Sequence, residues 1–376
     1  MNFDFDQDQD MLGDSVRKWV AKAYPFDHYL SIVKAGGTDA NDWQQMADLG
    51  LCGLAIPEQH GGMGLGPVEA MLVAQELGAG MVCEPWAQVA LMASAVLRDN
   101  APAAMQAAWL PGMADGSKKV VLAITERAAR FNLNHIVTSA TKHGDHWLIN
   151  GQKSLVAVAD HADAFLVSAK TAGQSGDAAI GLFLVQPSIS VHCRAYNVQD
   201  GSRAGEVTFD QASAQLVCAN ALPALEHAVD IGIAALCAQA VGAMDKLYAI
   251  TLDYLNTRKQ FGVAIGTFQA LRHRVADMKM QLELARSMSY FGTLKLTASA
   301  DERRYAISSA KVQIGQSLRF VGQQGVQLHG GIAVTHEYIA GHLFKYLTTI
   351  EMSLGDSYHH LGEVSKRMTD TAGVFV

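Results

Sequence analysis

The chain has 376 residues, of which 49% are hydrophobic and 17% charged, and its formal net charge at pH 7 is −7. This length predicts two or three domains and a large core. The negative charge, without a basic cluster, argues against a nucleic-acid-binding protein. The low charged fraction indicates either a buried oligomer surface or a large monomer core.

The cysteines and the N-terminus bear on the compartment. The five cysteines are scattered and form no C-x-x-C pair, so neither a disulfide framework nor a zinc site is predicted. The stretch from Met1 to Asp6 is acidic where a signal peptide would be basic. No uninterrupted apolar run has the length of a membrane span. We therefore expect a soluble cytoplasmic protein with no metal centre and no membrane contact.

The secondary-structure signals change twice along the chain. From Asp10 to about Met113 the apolar residues recur at helical spacing, and Gly66-Pro67 marks one helix start. From about Lys119 to Leu216 the signals are those of strands, with Gly144-Asp145 and Asn150-Gly151 as turns. The predicted strands are Val120–Thr125, Ile136–Thr141, Trp147–Asn150, Ala164–Ser168, Gly181–Val185 and Glu206–Phe209.

From Pro223 onward the pattern is helical again. The predicted helices are Ala224–Tyr254, Thr267 to about Ala298, Asp301–Gly325 and Ala333–Arg367. Together these patterns predict an α+β multidomain protein. We expect an N-terminal α-helical domain at residues 1–118, a middle antiparallel β domain at 119–220 and a C-terminal four-helix bundle at 221–376.

The connector between the first two C-terminal helices has a distinctive composition. It begins with a cation, an amide and an aromatic ring, Arg258, Gln260 and Phe261, and contains Gly262 and Gly266. Guanidinium binds phosphate in a fork and a ring stacks on a ring, so this trio suits an anionic, partly aromatic ligand. A helical hairpin with a solvated arginine and a core phenylalanine is the alternative.

The wording of this connector resembles a known family. R-x-Q-F-G at residues 258–262, followed by Phe268-Gln269 and by Ala276-Asp-Met278, is similar to the signature of the acyl-CoA dehydrogenase family of flavoenzymes. Three more segments resemble family motifs and occur in the family's order, from about residue 10 to 362. They are Pro57–Gly66 (P-E-x-x-G-G-x-G), Ile149–Lys153 (I-N-G-x-K) and Gln327–Gly331 (Q-x-x-G-G).

The resemblance implies a function and a cofactor. Such proteins oxidise the Cα–Cβ bond of an acyl-CoA thioester with FAD, a carboxylate base removes the α-proton, and electrons pass to an electron-transfer flavoprotein. Arg258 would pair with the FAD pyrophosphate. The other residues that the resemblance assigns to the cofactor are Thr125, Gln260, Phe261, Gln269, Gln327, His329, Gly330 and Gly331.

The position of the family's base is altered. The family's usual glutamate corresponds to Leu354 here, and the alternative position on the first bundle helix corresponds to Gly232. Asp356 lies two residues from the usual place. It is the candidate catalytic carboxylate if the loop is shifted, or otherwise the cap of the helix that follows it.

The middle domain departs from the family pattern as well. The family's flavin-contacting W-[IV]-[ST] is Leu155-Val156-Ala157 here. In the T-E-P-x-x-G-S-D segment Thr125-Glu126 is kept, but Arg130 and Phe131 stand in place of the glycine and serine. The losses therefore fall around the reactive ring and Cα, while the motifs for the dinucleotide remain.

This asymmetry favours one reading and leaves two others open. The chain resembles the small subunit of heteromeric acyl-CoA dehydrogenases of the pimeloyl-CoA or steroid-degradation type, acting with a second acyl-CoA dehydrogenase subunit in a heterotetramer. A self-sufficient homo-oligomer that uses Asp356 is the first alternative. A flavoprotein of different chemistry on the same scaffold is the second. None of the three readings identifies the acyl group of the substrate.

Overall fold

The computed structural model of the chain describes residues 4–144, 146–171 and 179–368. Helices at both ends of the chain flank a central β region, which confirms the predicted order of elements. The chain divides into two compact units. One unit comprises the chain up to Ser31, Pro67–Val82 and the chain from Ile233 onward, and the other comprises Ile32–Gly66 and Cys83–Gly232.

The N-terminal region is helical, as predicted. Asp6 and Asp39 cap the first and third helices by accepting backbone N–H groups, and Pro67 is the first residue of the fourth. A π-helical segment, Ala87–Ala93, runs directly into the fifth helix. The helices are α1 (Gln7–Ala23), α2 (Phe26–Ala35), α3 (Ala40–Asp48), α4 (Pro67–Gly80), α5 (Ser94–Asn100) and α6 (Ala103–Ala114).

The C-terminal region forms the predicted bundle with one difference. The stretch from Ala333 to Arg367, predicted as one helix, is two helices, because Leu354 and Gly355 take left-handed φ angles of 54° and 111° that break the helix. Helix α9 packs against α8, α10 and α11. The helices are α7 (Leu222–Thr257), α8 (Gln269–Leu294), α9 (Ala300–His329), α10 (Ile339–Met352) and α11 (Ser357–Met368).

Helix α7 has the length and apolar composition of a membrane-spanning helix. Among the described residues it alone is long and apolar enough, by length and composition, to cross a membrane. However, 78% of its most apolar window is buried inside the protein, as in the core helix of a soluble bundle.

The central sheet is mixed rather than purely antiparallel. Strand β4 pairs in parallel with β1 and β2, while the other pairings are antiparallel. The order is β1-β4-β2-β3-β7-β5, and β5 pairs back onto β4. The described strands are β1 (Val120–Ala123), β2 (Ser139–His143), β3 (His146–Ala157), β4 (Ala164–Thr171), β5 (Ile180–Val185), β6 (Val191–Asn197) and β7 (Arg203–Cys218).

Two local features of the sheet differ from the sequence reading. Asn150-Gly151, predicted as a turn, lies inside β3 at a register shift against β7, where Gly151 has a φ of 149°. The β2–β3 turn contains Gly144 (φ 60°), whereas Asp145 lies outside the described residues. Strand β6 was missed because its largely polar, exposed sequence lacks the apolar alternation of a half-buried strand.

A buried ion pair links Lys153 of β3 to Glu126, in the segment that follows β1. The carboxylate of Glu126 accepts hydrogen bonds from Lys153 Nζ (2.8 Å) and from the backbone N–H groups of Val137 (2.7 Å) and Thr138 (3.1 Å). Burial alone would raise the pKa of Glu126, but the bonds from Lys153 and the backbone outweigh it, so the pKa is lowered. Burial lowers the pKa of Lys153 to about 8, which leaves it charged at neutral pH.

Helices α4 and α7 cross at two glycines within one unit. A Cβ on Gly242 would lie 1.8 Å from the carbonyl oxygen of Gln75, and a Cβ on Gly78 would lie 2.2 Å from that of Gln239. Both clashes are with backbone atoms, which cannot turn aside as a side chain can. The crossing therefore requires glycine on both helices.

Replacing Gly242 by leucine is expected to destabilise the protein by at least about 2 kcal/mol, since overpacking a close crossing costs 1–3 kcal/mol even when side chains can move. The urea midpoint of the helical circular-dichroism signal measures this. Gly362→Ala is the matched control, because nothing lies within 4 Å of a Cβ there. That control should unfold at the same or a slightly higher urea concentration; equal midpoints for both variants would contradict the crossing.

Glu126→Gln is expected to lower the free energy of unfolding at pH 7 by about 3–5 kcal/mol, because it leaves the Lys153 ammonium buried without its carboxylate. The contribution of a carboxylate with a lowered pKa is present above its unfolded pKa, about 4.5, and is lost as the pH falls through the folded value. The variant should therefore show a flatter loss of stability below about pH 4.5 than the wild type. Urea titrations at pH 7 and pH 4 test this, with the exposed Glu58→Gln as control.

Candidate functional site

The connector after α7 is an exposed β-hairpin. Strands β8 (Lys259–Gln260) and β9 (Val263–Ala264) pair antiparallel, and the two residues between them, Phe261 and Gly262, have φ angles of 52° and 84°. Positive φ at both central residues is the geometry of a tight hairpin turn. Phe261 is at the tip and 91% exposed, so it is not the core residue of the alternative reading.

The polar residues of this hairpin region are also exposed. Within the described residues the guanidinium of Arg258 has neither an ion pair nor a hydrogen bond, although its backbone N–H ends α7 by donating to Tyr254. Gln260 Nε2 donates to the neighbouring carbonyl of Lys259. The ring of Phe268 meets that of Phe261 edge to face, with centroids 6.1 Å apart, and Gln269 opens α8. A free cation beside an exposed ring is what an anionic, partly aromatic ligand requires.

The backbone at the C-terminal end of α9 is accessible. Gly330 ends the helix with a φ of 67°, and a Cβ at Gly330 or Gly331 would have no atom within 4 Å. Gln327 is exposed one turn earlier. Open space at two successive glycines lets a ligand approach the main chain closely.

His329 joins the two segments by packing. Its ring lies between those of Tyr254 and Tyr338, with centroids 4.7 and 5.1 Å apart. Its Nδ1 donates to the carbonyl oxygen of Gly325, and burial lowers its pKa, so the ring is neutral. Tyr254 is one helical turn before Arg258 and His329 directly precedes Gly330, so this stack brings the two predicted cofactor segments together. The ring itself is buried, and a direct role at a cofactor stays a prediction.

In the sheet unit, Thr125 is held next to the altered motif of β3. The carbonyl oxygen of Thr125 accepts the N–H of Ser154 at 2.9 Å. Leu155 follows with a φ of 56° and a side chain that is 63% exposed. Arg130, where the resemblance expects glycine, has a φ of 50°. Residue 130 is therefore left-handed although it is not glycine, and position 155 presents an aliphatic side chain where the resemblance expects a flat ring.

Two of the three positions considered for the base, Leu354 and Asp356, lie in the turn between α10 and α11. Asp356 Oδ1 accepts the N–H of His359 at 2.8 Å, which makes Asp356 the N-cap of α11. Leu354 is partly exposed, and Gly232 is buried in α7. A catalytic role for Asp356 stays a prediction. The observed bond shows only that its carboxylate caps α11.

Sequence reasoning missed a polar cluster around this turn. Lys311, Glu351 and His360 are all buried there. The one signal in the sequence was a lysine at a core-facing position, since Ile307, Lys311, Ile314 and Leu318 follow helical spacing. Among the described residues no group of three or more histidine, cysteine or acidic side chains could hold a metal ion.

Models of three domains match the chain in order. The acyl-CoA dehydrogenase N-terminal domain matches residues 6–117, the middle domain residues 121–212 and the C-terminal domain residues 222–369. The acyl-CoA dehydrogenase FadE12 of Mycobacterium tuberculosis is 30% identical over 356 residues, covering 88% of each chain.

Solved structures agree in fold. A structure described as the Tcur3481–Tcur3483 steroid ACAD has a TM-score of 0.88 at 26% identity and covers 98% of this chain and 99% of the other. The ChsE4–ChsE5 complex from Mycobacterium tuberculosis has a TM-score of 0.89 at 22% identity, covering 99% and 100%, which shows the fold.

The three domain matches span most of the chain, and they agree with the exposed hairpin, the open glycines and the helix–sheet–helix order. The chain is a member of the acyl-CoA dehydrogenase family.

Proposed function

We propose that this chain is the subunit of a heteromeric FAD-dependent acyl-CoA dehydrogenase that supplies the grip on the nucleotide half of FAD and lacks the α-proton base. Members of the family are FAD-dependent, in agreement with the cofactor expected from the sequence. The observation that carries the proposal is an asymmetry. Arg258 and Phe261, which suit a dinucleotide, are exposed, whereas the positions of the flavin-facing ring and of the usual base carry leucine, at 155 and 354.

The nucleotide side supports the proposal through charge and access. The unpaired guanidinium of Arg258 suits the pyrophosphate, because a bidentate, charge-assisted bond to phosphate is the strongest contact that such an exposed cation can make. Phe261 offers a ring on which an aromatic group can stack. The open backbone at Gly330 and Gly331 suits a ligand that approaches the main chain. Gln260, Gln269 and Gln327 offer amides.

The catalytic side supports the proposal through what is missing. FAD, when bound, would accept the hydride that leaves Cβ of the acyl group. Removal of the α-proton would need a carboxylate near the thioester. The two positions used for it in the family carry leucine (Leu354) and glycine (Gly232) here. Asp356, two residues after position 354, is engaged as a helix cap, and Asp230, two residues before position 232, is buried in α7. Leu155 provides no aromatic face and Ala157 no hydroxyl group.

The remaining partners follow from this arrangement. We propose that a second acyl-CoA dehydrogenase subunit supplies the base and the ring site, in a cytoplasmic heterotetramer that reduces an electron-transfer flavoprotein. The description of the steroid ACAD similar to this chain names two components, and ChsE4–ChsE5 is described as a complex. Domain boundaries at 118/119 and 220/221 are part of the same proposal.

The lone chain is expected to bind FAD through its nucleotide half. ADP should therefore displace FAD, whereas FMN, which lacks the adenylate, should not. Arg258→Ala should weaken FAD and ADP equally, by about tenfold, because it removes one charge-assisted phosphate contact. Equilibrium titration of flavin fluorescence measures the affinities, with Lys259→Ala as the control. FMN binding as tight as FAD binding would contradict the proposal.

The lone chain is also expected to carry out no dehydrogenation. With FAD and octanoyl-CoA under anaerobic conditions, the flavin absorbance near 450 nm should not decrease, and Asp356→Asn should behave like the wild type. Bleaching by the wild type that Asp356→Asn abolishes would instead favour the self-sufficient enzyme. Bleaching by both proteins would place the base elsewhere in the chain.

A further inference from the structure

A buried carboxylate, that of Glu84, lies just before the π-helical segment. The residue is 5% exposed, and it lies with its bonding partners in the unit that comprises Ile32–Gly66 and Cys83–Gly232. Its Oε1 accepts the backbone N–H of Asp39 at 2.6 Å, and its Oε2 accepts the hydroxyl of Thr38 at 2.8 Å. The carboxylate therefore bonds to the two residues that precede α3, and within the described residues no cation pairs with it.

These bonds complete the cap of α3 from a distant part of the chain. Asp39 Oδ1 accepts the N–H groups of Asn41 and Asp42, but the N–H of Asp39 itself needs another partner. In a capping box, an acidic or amide side chain at the third helical position takes that N–H. Here Asp42 holds the third position, and Glu84, 45 residues after Asp39, takes the N–H instead.

Trp86 holds the other end of the same stretch. Its Nε1 donates to the carbonyl oxygen of Leu51 at 2.8 Å, and its ring is buried. Residues 38–51, which contain α3, are therefore attached at their start to Glu84 and at their end to Trp86. Of these two attachments, only the one at Glu84 contains a group that titrates.

The surroundings of Glu84 favour its protonated form. Burial raises the pKa of Glu84 to about 7, against the two hydrogen bonds and the charge of Lys119, which lower it. The Lys119 ammonium lies over the ring of Trp43, 4.9 Å from its centroid. The carboxylate of Asp42 raises the pKa of Glu84 further, and the nearby thiol of Cys52 stays protonated because burial raises its own pKa to about 12.

A second buried carboxylate of the same unit shows what a paired cation changes. Glu126 has the ammonium of Lys153 at 2.8 Å, and its pKa is lowered. Glu84 is buried to a similar extent but has no such partner. Ionisation of Glu84 therefore leaves an unpaired negative charge inside the protein, which is costly.

We propose that Glu84 is a protonation latch, which holds residues 38–51 against the segment before the π-helix when it carries a proton and loosens them when it loses it. A protonated carboxyl group can donate to the Thr38 hydroxyl and still accept the N–H of Asp39, so the closed form keeps both bonds without a buried charge. The latch needs neither FAD nor a second subunit, and it is independent of the proposed function.

The direction of the pH dependence follows from linkage. The closed form binds the proton of Glu84 more tightly than the open form does, in which the pKa is about 4.5. Closure is therefore favoured at low pH, and this preference is lost as the pH rises from about 4.5 to about 7. These two values predict a roughly thirtyfold loss of closure between pH 5.5 and pH 8.5.

Hydrogen exchange of the full chain, read by mass spectrometry of peptides from residues 38–51, tests the latch. After correction for the intrinsic pH dependence of exchange, protection of these amides should fall roughly thirtyfold from pH 5.5 to pH 8.5. Glu84→Gln is neutral at every pH and can make both bonds, so its protection should not change with pH. The exposed Glu58→Gln, in the same unit, is the control and should behave like the wild type.

Lys119→Met keeps the test decisive if Glu84→Gln does not fold. Removing the charge that favours the carboxylate should move the fall in protection to higher pH, and an unshifted fall overturns the latch. Constant protection in the wild type, or an equal fall in Glu84→Gln, also overturns it. An equal fall in peptides from β5 would mean that the whole unit opens, which contradicts a local latch.

Discussion

The stack of Tyr254, His329 and Tyr338 is the contact on which the candidate cofactor site depends. Arg258 and the open glycines are 72 residues apart in sequence (330 − 258 = 72), and each follows the end of a long helix. A neutral, buried imidazole between two phenol rings packs without the desolvation cost of a charge. This packing fixes the ends of α7 and α9 together, so the exposed hairpin projects from a rigid base.

Helical spacing and turn residues were enough to predict the α+β class and the order of elements, whereas the candidate cofactor segments came from the resemblance to family motifs. Period and composition carry that information because the buried faces of α7, α8 and α9 repeat regularly. The spacing did not reveal the break at Leu354, since leucine favours helix and the side chains bonded to this turn include Lys311, which is distant in sequence. Tertiary contacts overrode local propensity there.

Strand pairing in the sheet was also not predictable from local sequence patterns. The parallel pairings of β4 with β1 and β2 depend on which strands meet in space, and apolar patterns along each strand do not encode that choice. Asn150-Gly151 carried a strong turn signal, yet it forms a bulge inside β3 because β7 continues to pair on both sides. The motif segments could be located in the sequence because each is contiguous, whereas the strand pairing could not.

The placement of charged side chains supports the proposed division between binding and chemistry. The buried side chains of Glu126 and Lys153 bond each other, and Glu126 also accepts backbone N–H groups. Buried Lys311 donates to backbone carbonyls at the C-terminal end of α10, and buried Glu351 accepts bonds from Arg319 and from the N–H of Ser357. Arg258, by contrast, is exposed and unengaged within the described residues. A proton-transfer group needs a free carboxylate or imidazole close to its substrate, and His329 and His360 are buried, neutral and bonded to backbone. The free guanidinium of Arg258 suits a phosphate, and this is the physical basis of the proposed binding role in a shared active site.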